Sequence, residues 1–433
     1  MKKAKLILVA ILPAMLAFGP ARKQTFVSQD INNFWDAYDK IVTTKDSTRQ
    51  HELIRELYIS KGTHGLKSLM NVRNYSAREF IDAINKYPKF WKSLRTQTLS
   101  VHNLYPEVES DIQKLKTIYP GLKPATIYFS VGAFRTNGTI SGDAVLIGSE
   151  LALADSTIVT EELPQWMQSY FKEFRPRNNL ALLCTHEYIH TQQKPLVQNL
   201  LSRCLYEGVA EFISCKATGK RSNTPGVQFG KANKEKVVNK FVDDLFLISN
   251  DYNWLWGENR NELKVRDLGY FIGYEICERY YNLSKDKSKA IRELIELDYS
   301  DEKEVERIVD ATKLLPESLK VLYERYEKQR PTVTAIQPFK NGDKQVKPGL
   351  CQITLTFSEA MDTNFRGFDY GPLGDNHIYK FVRLIGWSDD KRTLTYEVEL
   401  QPNKRFQFLV TNNFRNAKGI RLKPYLVDFE TGN

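Results

Sequence analysis

The chain has 433 residues, too many for one ordinary domain and suited to two or three. Its hydrophobic content of 42% and aromatic content of 12% are enough for packed cores and exclude a disordered chain. The formal net charge is +10, but Lys2, Lys3 and Lys5 lie in the first 21 residues with no acid, which leaves 59 basic against 52 acidic residues beyond them. Lysine and glutamate alternate along apparent helices such as 285–307. That is the pattern of solvated helix faces rather than of a nucleic-acid footprint, so no nucleic-acid partner is expected.

Residues 1–21 read as a signal peptide, with a basic head and an apolar run from Leu6 to Phe18 broken by Pro13. The run is shorter than the ~20 residues of a membrane-spanning helix. Gly19 and Ala21 fit the small-residue cleavage pattern, Ala17 is a second candidate, and an uncleaved anchor is the alternative. The expected location is outside the cytoplasm: periplasmic, cell-surface or secreted. Residues 25–120 read as mostly helical, because Ile31, Phe34, Trp35 and Tyr38, then Leu53 and Leu57, recur at helical spacing, with breaks at 62–65 and at Pro88. Segments 124–130 and 143–148 read as strands flanking a loop that contains Asn137-Gly138 and Ser141-Gly142.

Asn178 or Asn179 can cap a helix that ends before Pro195, and a second helix is expected from about Asn199 to Thr218, stopped by Gly219. Further helices are expected near 233–249, 265–282, 286–297, 302–312 and 316–328. Around Gln329-Arg330-Pro331 the pattern changes to short alternating strands, such as Ile353-Leu355-Phe357, Leu394-Tyr396-Val398 and Phe406-Phe408-Val410, with a last run at 426–429. The expected fold class is α+β: a mainly helical domain with a small sheet over 22–329, then an all-β sandwich over 330–433. The five cysteines (Cys184, Cys204, Cys215, Cys277, Cys351) are odd in number and lack a C-x-x-C pair, so no disulfide framework is indicated. A pairing of Cys184 with Cys204 or Cys215 is left open.

The chemistry concentrates at Cys184-Thr185-His186-Glu187-Tyr188-Ile189-His190. Imidazoles at i and i+4 share one face of a helix, a turn apart, where one Zn²⁺ can meet both. Glu187 beside them is placed to take a proton from water and pass it to a leaving amine. With six histidines and 52 acids in the chain, about 0.01 chance matches to this pattern are expected. The chain also holds a near miss, His51-Glu52-Leu53-Ile54-Arg55, which fails at the last position. Catalytic zinc takes three protein ligands, and Glu207 and Glu211, themselves one turn apart, both compete for the third place. In 267–274, Gly269 and Gly273 form one helical stripe with Tyr270 and Tyr274 beside it. The glycines suit close helix packing. Either tyrosine is a candidate donor to a developing oxyanion, with core packing as the plain alternative.

H-E-x-x-H followed by Glu207-Gly208-Val209-Ala210-Glu211 resembles the gluzincin clan, which holds thermolysin-like enzymes and aminopeptidases. The resemblance implies a zincin-like fold, one Zn²⁺, Glu207 as the third ligand, and Glu211 as the acid that orients His186. It further implies that a strand in the position of 144–147 borders the cleft and pairs with the substrate backbone. The ordered motifs I-Y-F-S-V-G, N-G-T, V-L-I-G-S-E, H-E-x-x-H, E-G-V-A-E and D-L-G-Y-F-I-G-Y also resemble an uncharacterised bacterial family of predicted Zn-dependent proteases, over about residues 30–328. The segments 353–362 and 427–431 are similar to bacterial Ig-like domains of the S-layer type, which implies an envelope or cell-surface contact. Together these imply an exported zinc metallopeptidase acting on peptide or protein, with water activated by Glu187. The alternative is a non-catalytic cell-surface binding or adhesion protein on a zincin-like scaffold, which would have no need of Glu187.

Overall fold

The computed structural model describes residues 25–247, 251–256 and 262–433. The signal-peptide segment lies outside them, and no described helix is long and apolar enough to cross a membrane. The chain forms two compact units that divide between Thr191 and Gln192.

The first unit opens with helices whose inward faces build an aromatic core. Phe34, Trp35 and Trp91 are almost wholly buried and meet edge-on or tilted, with Phe34 and Trp35 ring centres 5.2 Å apart. Trp35 donates its indole N–H to Thr98 at 2.9 Å, which satisfies the one polar atom it brings inside. The helical period expected at Leu53 and Leu57 breaks in the structure. Residues Arg55–Ile59 form a π-helical turn, and the extra residue in that turn brings Tyr58 inward in place of Leu57. Tyr58 then donates to the carbonyl of Val131 at 2.5 Å and accepts from its N–H at 2.9 Å.

These helices accompany a four-stranded sheet. Its strands are β1 (Thr25–Val27), β2 (Thr126–Ser130), β3 (Gly138–Ser141) and β4 (Ala144–Gly148), in the order β1-β2-β4-β3. β1 and β4 each run parallel to β2, and β3 lies antiparallel to β4. One expectation is corrected. Segment 144–147 is paired on both sides and buried throughout, so it has no free edge for a substrate. The edge strand beside it is β3, from the stretch read as a loop; at four residues it is too short to show an alternating pattern.

In the second unit, helices Leu200–Thr218, Pro225–Ala232, Lys234–Asp244, Leu268–Leu283, Lys287–Ile295, Glu302–Ala311 and Leu319–Gln329 precede the strands. The strands are β5 (Val333–Gln337), β6 (Gly349–Phe357), β7 (Phe368–Tyr370), β8 (Lys380–Trp387), β9 (Thr393–Leu400), β10 (Arg405–Val410) and β11 (Tyr425–Glu430). They pair antiparallel into sheets β5-β6-β9-β8 and β11-β10-β7. Alternate residues of β6, β9 and β10 fill one apolar core with Val427 and Phe429 of β11. The fold is therefore α+β, helical with a small sheet and then a β-sandwich, and the change from helix to strand falls inside the second unit.

Candidate metal centre

The motif helix, Leu180–His190, starts after Asn179. It is buried almost all round, so its position is set by packing on every side rather than by an amphipathic face. Tyr188, one of the two unspecified motif positions, ties it to the sheet. Its hydroxyl accepts from the N–H of Ala125 at 2.8 Å and donates to the carbonyl of Lys123 at 3.2 Å, at the entry to β2. Held there, the helix places the Nε2 atoms of His186 and His190 3.1 Å apart. Both rings are buried.

Glu187, on the same helix, lies against β3. A Cβ built on Gly138 would sit 2.6 Å from Glu187 Oε1 and 2.8 Å from its Cγ. Only a residue without a side chain leaves room for that carboxylate at the edge strand. The sequence marks Gly138 as a turn glycine; its use is close approach to the acid.

In the second unit, Asn199 caps the acidic helix Leu200–Thr218 by accepting from the N–H of Ser202 at 2.8 Å. Gly219, in the left-handed region at φ 73°, ends it. Gly208 packs backbone to backbone against Gly273 of the glycine helix Leu268–Leu283, where any Cβ would overlap. The close contact expected of Gly208, Gly269 and Gly273 is therefore present. It brings Tyr270 beside Glu207, with the phenol and carboxylate hydrogen-bonded. Desolvation first, then the negative charges of Glu207 and Asp267, push the Tyr270 hydroxyl well above its ordinary pKa.

The other candidates are placed differently. Tyr274 lines a cavity with Lys231, Cys215 and Glu278, and Lys231 Nζ stands 4.5 Å from its ring centre. Glu211 accepts hydrogen bonds from the hydroxyls of Ser222 and of Thr224, the latter at 3.0 Å. Both partners come from the loop after Gly219, which sequence reasoning missed because a Ser-Asn-Thr loop carries no distinctive signal. All five cysteines are free and four are buried; burial pushes the Cys184, Cys215 and Cys277 thiols up, away from the ligating thiolate form. The near-miss motif lies in helix Ser47–Ile54, where Glu52 is ion-paired with Arg49 at 2.8 Å.

His186 and His190 of the first unit and Glu207 of the second are all buried and are of the residue types that hold a metal ion. The donor set suits zinc. Two nitrogens held tetrahedrally at ~2.0–2.1 Å from one ion stand about 3.3 Å apart, close to the 3.1 Å between these imidazoles. Two buried imidazoles with a buried carboxylate could hold a divalent cation, which would offset the cost of enclosing the acid.

A model of the family described as "Predicted Zn-dependent protease" matches residues 160–302, a stretch that contains the motif, acidic and glycine helices. No curated protein matches the chain. Among solved structures, the S-layer protein rSbsC is similar over 93% of this chain and 45% of its own length, at 9% identity and a TM-score of 0.18. The chain thus spans less than half the length of that structure.

Proposed function

We propose that this chain is an exported zinc metallopeptidase of gluzincin type, with His186, His190 and Glu207 as ligands of one Zn²⁺ and Glu187 as general base. The observation that carries the reading is the pair of buried imidazoles on one helix, His186 and His190, with Nε2 atoms 3.1 Å apart and Glu187 beside them. The match of residues 160–302 to a family described as Zn-dependent protease supports it. Bound there, zinc supplies Lewis acidity, polarising a peptide carbonyl and making water nucleophilic near neutral pH.

The chain's own residues do the rest. Glu187 takes the proton from the attacking water and returns it to the leaving amine. Tyr270, by its hydrogen bond to Glu207, holds the carboxylate ligand; in this reading it is also the nearer of the two tyrosines to the developing oxyanion. Glu211 orients His186, itself steadied by Ser222 and Thr224. β3, the last strand of its sheet, offers its outer edge to an extended peptide by β-augmentation, with Glu187 against Gly138. The substrate is peptide or protein. The β-sandwich serves as an Ig-like module for envelope or cell-surface contact, and residues 1–21 as the export signal.

Glu187→Gln tests the assignment. The variant should keep zinc at the wild-type stoichiometry and lose about 10²–10⁴-fold in cleavage of a mixed peptide pool, the usual worth of a general base. Full activity in the variant would reject the role, and a wild-type protein that binds zinc but cleaves nothing would favour the binding-protein alternative.

A further inference from the structure

A second feature lies apart from the three ligands, wholly inside the second unit. The end of the acidic helix, the loop after it and two following helices enclose an open cavity of about 670 Å³, within the ~300–1,000 Å³ usual for ligand pockets. Its charge is one-sided. Lys216, Lys220, Arg221 and Lys231 line it against the single carboxylate of Glu278. Lys231 reaches Glu278 at 3.4 Å, while Lys216 and Arg221 make no ion pair among the described residues. Lys216 lies 4.7 Å from the ring centre of Tyr281, and Lys287 lies 4.9 Å from the same ring. So many cations drawn to one concave surface raise its potential and attract an anion. The hydroxyls of Ser222 and Thr224, which could have cradled a compact phosphate, are both donated to Glu211. What remains is a set of cations on long flexible stems between aromatic faces, suited to carboxylates spread along a chain.

We propose that this cavity binds an acidic peptide segment, reading its Asp and Glu side chains through Lys216, Lys220, Arg221 and Lys231. The identity of the ligand as peptide rests on the peptidase reading; the anion site itself does not. The loop that carries Lys220 and Arg221 also supplies Ser222 and Thr224 to Glu211, so an occupant of the cavity bears on the residue one turn from Glu207.

The test is calorimetric titration of the full, zinc-stripped chain with tetraglutamate, tetraglutamine and inorganic phosphate at physiological salt. Tetraglutamate should bind and tetraglutamine should not. The exposed pair Lys216→Glu/Arg221→Glu should weaken tetraglutamate binding by at least about tenfold, and the milder Lys216→Gln/Arg221→Gln pair by less. The same charge change at exposed Lys67 and Lys92, which do not line the cavity, should leave it within about twofold, since exposed charges off the lining are screened by salt. Equal loss in both charge-reversed pairs, equal binding of tetraglutamine, or unchanged binding in the cavity variants would overturn the proposal. Phosphate binding as tight as tetraglutamate would also overturn it, by assigning the cavity to a phosphate ligand. Because no turnover is measured, failure here is separate from failure of the metallopeptidase reading, which Glu187→Gln tests.

Discussion

The helical part of the chain and the β-sandwich bury different kinds of residue. Between 25 and 329, Asp30, Glu150, His186, Glu187, His190, Glu207, Glu211 and Asp267 are among the ionisable groups shut away from water. Among the described residues of the sandwich, the buried polar groups are uncharged: Gln407, Asn416, Thr431 and the paired hydroxyls of Tyr379 and Tyr396. Enclosing charge is unfavourable unless it is paired, hydrogen-bonded or put to use. The sandwich thus encloses no carboxylate, imidazole or cationic side chain among its described residues, whereas the helical part accepts that unfavourable burial at several positions.

The sharpest way to break this contrast is to remove a buried charge that should hold metal. Glu207→Ala should reduce zinc content to background and abolish peptide cleavage, a larger loss than the ~10–100-fold seen when only an outer contact is removed; elemental analysis of the purified variant measures it. Next comes Gly138→Val, which puts a Cβ within 2.6 Å of Glu187 Oε1. It should keep zinc and lower cleavage about 100-fold, as a displaced catalytic group does.

Glu150 sharpens the comparison through pH. The N–H groups of Gly132 and Phe134 donate to its carboxylate at 2.7 and 2.9 Å, which favours the ionised form, yet burial outweighs them and raises its pKa from 4.5 to about 7. A raised acid binds more protons folded than unfolded, so its contribution is full below about pH 4.5 and is lost as pH rises to about 7. Glu150→Gln should remove a pH-dependent part of stability of about 3 kcal/mol across that window. Denaturant melts of both proteins at pH 5 and pH 8 compare directly, and parallel profiles would contradict the shift. The smallest effect on chemistry belongs to the sandwich. Leu355→Ala, at a fully buried core position, should cost about 2–5 kcal/mol of stability, while zinc content and cleavage per folded molecule stay at wild-type values.

Much of this was legible in the residues. The caps at Asn199 and Gly219 bound the helix that carries the glutamates, because capping is local chemistry, while the histidine helix starts after Asn179 without a side-chain cap bond. The alternation in β6, β9 and β10 is plain because one face of each is buried. β8 escaped notice because most of its residues are exposed and its apolar residues follow no period. In the candidate site, spacing pointed to His186 and His190 and left Glu207 and Glu211 open for the third place. Only the gluzincin resemblance assigned it to Glu207, and the two tyrosines looked equivalent. Tyr270 and Tyr274 differ by one helical turn, and only the packing of Gly208 on Gly273 decides which of them meets Glu207. The basic cavity was equally hidden, since Lys216, Lys220, Arg221 and Lys231 read in sequence as ordinary surface charge.

The central claim is the ligand set, and zinc-edge X-ray absorption on the zinc-loaded chain tests it most directly. The account predicts one zinc per chain with nitrogen and oxygen neighbours only, at ~2.0–2.2 Å, including two imidazoles. A sulfur neighbour at ~2.3 Å, which would bring in Cys184, Cys204 or Cys215, or a spectrum unchanged by His190→Ala, would contradict it.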